Sequence, residues 1–354
     1  MYPKLIVNLK KLRHNLNFLL EQCHGRGITA SIVTKVFCAD ERIVELIDHS
    51  DADFIADSRV LNLKSLNSSK QKVLLRISMP SEAEDVVRYA DISMQSEIAA
   101  IQRLAKAAYA QGKKHRVVLM IDLGDLREGI FFQDRPLILE TARAVVESGA
   151  LELYGLGTNL TCYGGILPDE NNMGILCDIA RAIRKEFGIE LPMVSGGNSS
   201  SMTMLMEGRL PAGINNLRLG ESFVLSNDTS TGLPIDGMHS DAFILEAEIV
   251  ELQAKPSKPI GKSGMNAFGE TVQFEDRGQM LRAIIAIGRQ DVDPASLKCL
   301  DENAEILGAS SDHLIVDLTK SNMYNVGDTI SFVPGYGALL RLCTSKYVYR
   351  EYVN

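Results

Sequence analysis

The chain has 354 residues, enough for two ordinary domains or for one large α/β barrel with an addition. Hydrophobic residues make up 45% and charged residues 23%, the balance of a globular protein with a substantial core, which excludes a disordered or fibrous chain. Acidic residues outnumber basic ones by 45 to 37, and the resulting formal charge of −8 gives nonspecific nucleic-acid binding no overall support, although it leaves room for a local basic groove.

Residues 5–7 form a short apolar run, and Asn8 is placed to cap a helix whose Leu12, Leu16, Leu19 and Leu20 share one face. Lys11 and His14 fall toward its exposed side. The helix ends in HGRG, after which ITASIVTKVF reads as a buried strand with Lys35 near its carboxyl end, where an amine can be desolvated. Similar runs follow at DFIAD, KVLLRI, DISM, HRVVLMIDLG, LELYGLGTNL, LPMVSGG and INNLRLG, with helical patterns between most of them. With the Lys35 strand they make eight, the count and alternation of a closed (β/α)8 barrel. A doubly wound open sheet has the same local signals. The strand ends favour the barrel, because Lys35, Asp57, Arg76, Gln95, Asp122, Asn159, Asn198 and Arg218 then converge on one mouth.

The segments between strands read as an outer helical layer. One starts at Ser96 and stops at Gly112, one has Pro136 in its first turn, and one ends at Gly188. Between 222 and 240, SFVLSNDTSTGLPIDGMHSD interrupts the α/β rhythm, and the runs that follow look like strands with few helices between them. This divides the chain into a barrel domain over 1–235 and a mostly-β domain over 236–354, a small antiparallel sandwich or barrel.

Several residues suit chemistry. Lys35 is positioned to form a Schiff base. SGGNSSSMTML places Gly196, Gly197, Asn198 and Ser199 between a strand end and a helix, where backbone N–H groups and hydroxyls suit a phosphate. IDLGDLREG matches neither GxGxxG nor GxxxxGK[ST], which argues against a nucleotide fold; its Asp122 and Arg127 supply a carboxylate and a cation at the mouth, or an ordinary loop ion pair. The six histidines share no ligand spacing, so no metal centre is expected, and only His313 in SSDH is of chemical interest. Ser310 and Ser311 lack nucleophile-elbow glycines. The six cysteines form no CxxC pair and point to free thiols in a reducing compartment. The start, MYPKLIVNLKKLRHNL, has no apolar signal core, and no run approaches the roughly 18 uncharged apolar residues of a membrane span, so a cytoplasmic protein without membrane attachment is the expectation.

Taken in order, VTKVFCAD (33–40), ADSR (56–59), IDLGDLREG (121–129), GLGTNL (155–160), SGGNSSS (195–201) and LRLGES (217–222) resemble the pyridoxal-phosphate enzymes of the alanine racemase fold. NAFGE (266–270) and GASSDH (308–313) extend the resemblance into the tail, and the whole is most similar to the branch of amino-acid racemases that includes ornithine racemase. The resemblance implies a TIM-like barrel followed by a β domain, with pyridoxal 5'-phosphate held by Lys35, which also serves as general base on one face of the substrate. It further implies Asn198, Ser199 and Gly220 as phosphate contacts, Arg218 facing the pyridine nitrogen, Arg127 near the substrate carboxylate, and Asn159 where alanine racemases have a histidine beside the arginine. It implies a homodimer in which the β domain of one chain completes the active site of the other.

Three positions depart from the family pattern. Met120 stands where many alanine racemases carry a carbamylated lysine, and Ala39 replaces a tyrosine that touches the cofactor phosphate. Phe268 occupies the place of the catalytic tyrosine and cannot exchange a proton, while racemisation requires proton transfer on both faces of the α-carbon. His313 and then Asp312 are the leading replacements, with Ser311 and Asp312 near the substrate, and Tyr336, Lys346 or a cysteine as further candidates. The expected activity is racemisation of a free basic amino acid such as ornithine or lysine. The alternatives are a decarboxylase on the same fold, whose C-terminal cysteine and acidic signatures are not found around Cys343, and a noncatalytic cofactor-binding homeostasis protein, which would lack the tail domain.

Overall fold

Eight short apolar strands close into a parallel barrel in the computed structural model, which describes residues 1–354 other than Val272 and Asn322. They are Thr29–Val33, Phe54–Asp57, Gln71–Leu74, Ile92–Gln95, His115–Asp122, Leu151–Gly157, Met193–Ser195 and Asn216–Leu219. Each pairs in parallel with the next, and Asn216–Leu219 returns to Thr29–Val33 in the register Leu217 to Ala30 and Leu219 to Ile32. Closure leaves no open edge, and it separates this barrel from the doubly wound alternative.

Val33, Ala56, Val73, Ile92, Met94, Val118, Met120 and Met193 make up a buried cluster of the barrel. Burial of a Val, Ile or Met side chain contributes roughly 1.5–3 kcal/mol, so this layer is a principal source of stability. One glycine sets how closely two strands approach: a Cβ on Gly155 would lie 1.9 Å from the carbonyl oxygen of Met193, a distance no side chain tolerates.

The outer helices begin and end where local chemistry dictates. Asp134 accepts from the Leu137 N–H at 3.1 Å to open Arg135–Val146, with Pro136 in the first turn. Asp169 and Asn172 form a reciprocal capping box on Glu170–Phe187, which stops at Gly188 with φ of 62°. The helix expected from Ser96 begins instead at Ile98, because Glu97 keeps extended backbone angles.

The barrel belongs to one compact unit, Leu12–Ser240; the other comprises Met1–Lys11 and Asp241–Asn354. In the second unit, an eight-stranded sheet is organised around the long strand Phe243–Pro256, whose buried and half-buried residues alternate from Phe243 to Ile249. Lys4–Asn8, at the start of the chain, pairs antiparallel with this strand and parallel with Tyr349–Val353. Lys4 there bonds Glu246 at 3.2 Å and Glu351 at 3.0 Å. Among the described residues no helix is long and apolar enough to cross a membrane, and no group of three or more His, Cys, Asp or Glu is placed to hold a metal ion.

Candidate active site

A closed parallel barrel brings the carboxyl ends of all eight strands to one mouth. Thr29–Val33 passes through Thr34 into the short helix Lys35–Phe37. Thr34 is held through its backbone and its side chain to the neighbouring strand Phe54–Asp57. Its N–H donates to the Ala56 carbonyl at 2.8 Å and its hydroxyl to the Asp57 carboxylate at 2.5 Å. Asp57 is fully buried and also accepts from the Arg59 N–H at 2.8 Å and from Asn62 Nδ2 at 3.0 Å; burial pushes its carboxyl up from the usual range, against these hydrogen bonds. After the helix, Cys38 and Ala39 both adopt left-handed backbone with φ of 53°. Such conformations cost on the order of 1–3 kcal/mol each and persist where the surrounding structure fixes them.

Lys35 itself is exposed, not desolvated as the strand pattern suggests, because the chain turns into the helix before its side chain enters the buried layer. Its charge acts on Glu221, whose carboxyl is raised chiefly by burial, an effect opposed by the Asn227 hydrogen bond and by Lys35.

The serine-rich turn closes on the start of the helix Glu221–Leu225. Ser199 Oγ lies 3.0 Å from Ser222 Oγ and accepts from the Ser222 N–H at 3.1 Å and the Gly220 N–H at 3.4 Å. The Asn198 side chain accepts from the Ser200 N–H at 2.9 Å and donates to the Leu160 carbonyl at 3.0 Å and to Cys162 Sγ at 3.2 Å. Asn198, Ser199 and Gly220 therefore share one corner of the mouth.

Arg218 is the buried cation of this end. It is 4% exposed and donates to Ser195 Oγ at 3.1 Å and to the Thr158 carbonyl, with Met94 Sδ at 3.3 Å. Burial pushes its guanidinium down to about 10; Glu128 and Cys162 oppose that shift, and Arg127 adds to it. Arg127 pairs with the adjacent Glu128, and Asn159 Nδ2 donates to the same carboxylate. Asp122 instead accepts from the N–H groups of Gly124 at 2.8 Å and Leu126 at 3.2 Å, shaping its own loop.

Ser311, Asp312 and His313 lie in the second unit, in the turn between the antiparallel strands Glu305–Ala309 and Leu314–Asp317. All three are exposed. Ser311 Oγ donates to Asp312 at 2.8 Å, and the His313 N–H donates to Ser310 Oγ at 3.1 Å. In the same unit the guanidinium of Arg289 lies 4.3 Å from the Phe268 ring centroid and pairs with Glu270 at 3.2 Å.

Sequence reasoning missed four residues of the mouth: Asp125, Glu128, Thr158 and Ser222. Asp125 accepts from the N–H groups of Tyr163 at 2.9 Å, Ile166 at 3.1 Å and Cys162 at 3.2 Å, and so folds the loop carrying Cys162. Glu128 was visible next to Arg127 in LREG, but nothing in that string tells which carboxylate the arginine selects.

The donor set suits a phosphate-bearing aldehyde such as pyridoxal 5'-phosphate. Two hydroxyls buried in this region, Thr158 Oγ1 and Ser200 Oγ, make no hydrogen bond, and a buried polar group left unpaired costs about 1–3 kcal/mol. An anion offered to the serine turn can pair with such a hydroxyl and with backbone N–H groups, while Lys35 supplies an amine and Arg218 a fixed cation.

Comparison with known proteins agrees with this geometry. The family model for the alanine racemase N-terminal domain matches residues 7–227. The chain is 50% identical to the ornithine racemase of Acetoanaerobium sticklandii and 36% identical to the lysine racemase of Thermotoga maritima, in each case over 99% of both chains. The alanine racemase from Bartonella henselae with covalently bound pyridoxal phosphate shares the fold, with a TM-score of 0.72 at 15% identity over 99% of both chains. The chain belongs to the alanine racemase family.

Proposed function

We propose that this member of the alanine racemase family interconverts the enantiomers of a free basic amino acid, ornithine or lysine, with pyridoxal 5'-phosphate as cofactor. The observation that carries the reading is the gathering at one barrel mouth of the Lys35 amine, the hydroxyls of the serine turn and the buried Arg218. Similarity to ornithine racemase along nearly the whole chain supports the choice of substrate.

When bound, the cofactor supplies an aldehyde that condenses with amines and a ring that draws electron density from the α-carbon. Lys35 offers the amine for that condensation and moves the proton on one face of the α-carbon. Asn198, Ser199 and the Gly220 N–H would hold the cofactor's phosphate. Arg218 would face the ring nitrogen of a bound cofactor; even with burial lowering its affinity for a proton, it stays cationic at neutral pH and so would disfavour a second positive charge there. Glu128 and Asn159 steady Arg127, which takes the substrate carboxylate. Because Phe268 cannot transfer a proton, the opposite face falls to His313, supplied by the tail of the second chain in a homodimer, with Ser311 and Asp312 of the same loop on the substrate. Imidazole moves protons near neutral pH with little retuning, which ranks His313 above Asp312.

The test is incubation of cofactor-loaded protein with each pure L-amino acid in deuterated water, followed by chiral separation and mass measurement. The expected result is inversion of ornithine or lysine with deuterium at the α-carbon. Loss of the carboxylate mass, or no inversion of any basic amino acid, overturns the reading. Borohydride reduction and peptide mapping are expected to place the adduct on Lys35.

A further inference from the structure

The amino end of the barrel, opposite the mouth, holds a cleft of about 400 Å³ at the starts of three adjacent strands, Gln71–Leu74, Ile92–Gln95 and His115–Asp122. Five cations line it: Lys72, Arg88, Lys113, Lys114 and Arg116. Among the described lining residues the one carboxylate is Asp91, and it is occupied in accepting from the Lys72 backbone N–H at 2.7 Å. None of the five cations forms an ion pair with a carboxylate among the described residues, whereas cations elsewhere on this acidic chain commonly do.

Three of the five are fixed by the fold. Lys72 Nζ donates to the Leu66 carbonyl at 2.6 Å, Lys113 Nζ to the Val87 carbonyl at 3.2 Å, and Arg116 to Gln71 at 2.8 Å, with its guanidinium 5.2 Å from the Tyr154 ring centroid. Arg88 and Lys114 are exposed and donate no side-chain hydrogen bond among the described residues, and the Arg88 guanidinium lies 6.0 Å from the Tyr89 ring centroid. Concentrating five positive charges around one carboxylate costs mutual repulsion that a multiply charged anion would relieve, and fixed donors beside exposed ones suit a ligand with several charged oxygens.

We propose that this cleft is a binding site for a compact polyphosphate, such as the phosphate chain of a nucleotide, and that Arg88 and Lys114 close on it. The site is separate from the serine turn, because it lies at the opposite ends of the strands.

The experiment is calorimetric titration of the full chain, preloaded with pyridoxal phosphate so that the serine turn is not available, with inorganic tripolyphosphate at two salt concentrations. ATP, citrate and a short single-stranded RNA are run in parallel. The expected result is one tripolyphosphate per chain, weakened by salt and by at least tenfold in the variant Arg88→Glu/Lys114→Glu. Lys185→Glu, a charge reversal on the helix Glu170–Phe187, should retain binding. Tighter binding of ATP than of tripolyphosphate would identify a nucleotide as the source. No heat with tripolyphosphate, an equal loss in Lys185→Glu, citrate binding as tightly as tripolyphosphate, or binding of RNA alone would overturn the proposal. A circular dichroism melt of the double variant matching that of the parent separates lost binding from lost folding.

Discussion

Arg218 at the mouth of the barrel and His115 at its amino end are both nearly fully buried, and burial lowers both pKa values. The outcomes are opposite. Arg218 starts from the high arginine value and falls to about 10, so it remains a cation at neutral pH, supported by Ser195 and the Thr158 carbonyl. His115 starts from 6.5 and falls to about 4, so it is neutral, bonded through Nε2 to Ser93 Oγ at 2.9 Å. A buried positive charge therefore calls for a group whose intrinsic pKa survives the desolvation cost, and arginine meets that requirement where histidine does not.

The largest effect should come from removing the mouth's buried charge. Arg218→Leu leaves the buried Thr158 carbonyl without its partner, while Ser195 Oγ keeps its bond to Asn216, and this costs about 1–3 kcal/mol of stability in urea unfolding. Loss of a fixed electrostatic group also lowers turnover by roughly 10²–10³-fold. Turnover within a few-fold of the parent would remove Arg218 from the mechanism.

His313→Asn carries the comparison to the second unit, where the side chain is exposed and its loss leaves the fold intact. Loss of one proton-transfer group costs about 10²-fold or more, here in α-proton exchange from one enantiomer, with the other enantiomer less affected in single-turnover exchange. Near-native exchange from both would redirect attention to Asp312, Tyr336 or Lys346.

The barrel was legible because eight apolar runs each ended in a polar residue, and Lys35, Asn198, Ser199 and Arg218 sit at those ends. The exposure of Lys35 was not, since a strand pattern does not mark where the chain turns into the helix Lys35–Phe37. Nor was the partner of Arg127: Asp122 and Glu128 are equally plausible in sequence, and only the loop's folding on the Gly124 and Leu126 N–H groups commits Asp122 elsewhere. The strand Lys4–Asn8 shows the same limit, because an apolar run does not name the strand it will pair with.

A smaller effect is expected from Glu128→Gln, which keeps a hydrogen-bond acceptor for Asn159 but removes the charge that steadies Arg127. KM for the amino acid should rise by about tenfold, equivalent to about 1.4 kcal/mol, with kcat changed less. A fall in kcat alone would place Glu128 closer to the chemistry than to substrate binding.

The smallest effect on turnover, none at neutral pH, is expected from His115→Gln, yet this variant tests the other half of the comparison most directly. With the folded pKa near 4 and the unfolded value near 6.5, the unfolded chain binds more protons between those pH values, so stability rises with pH across that window. As pH falls from 6.5 toward 4 the parent should lose about 3 kcal/mol through this residue alone. Glutamine can bond Ser93 but does not titrate, so the variant should lack that loss. Other carboxyls raised by burial, Asp57 and Glu221 among them, titrate in both proteins and cancel in the difference. Urea unfolding of parent and variant at intervals from pH 4 to 7 gives the difference directly. A flat difference curve would mean that His115 is protonated as readily in the folded barrel as in the unfolded chain, and the contrast with Arg218 would then rest on hydrogen bonding and not on burial.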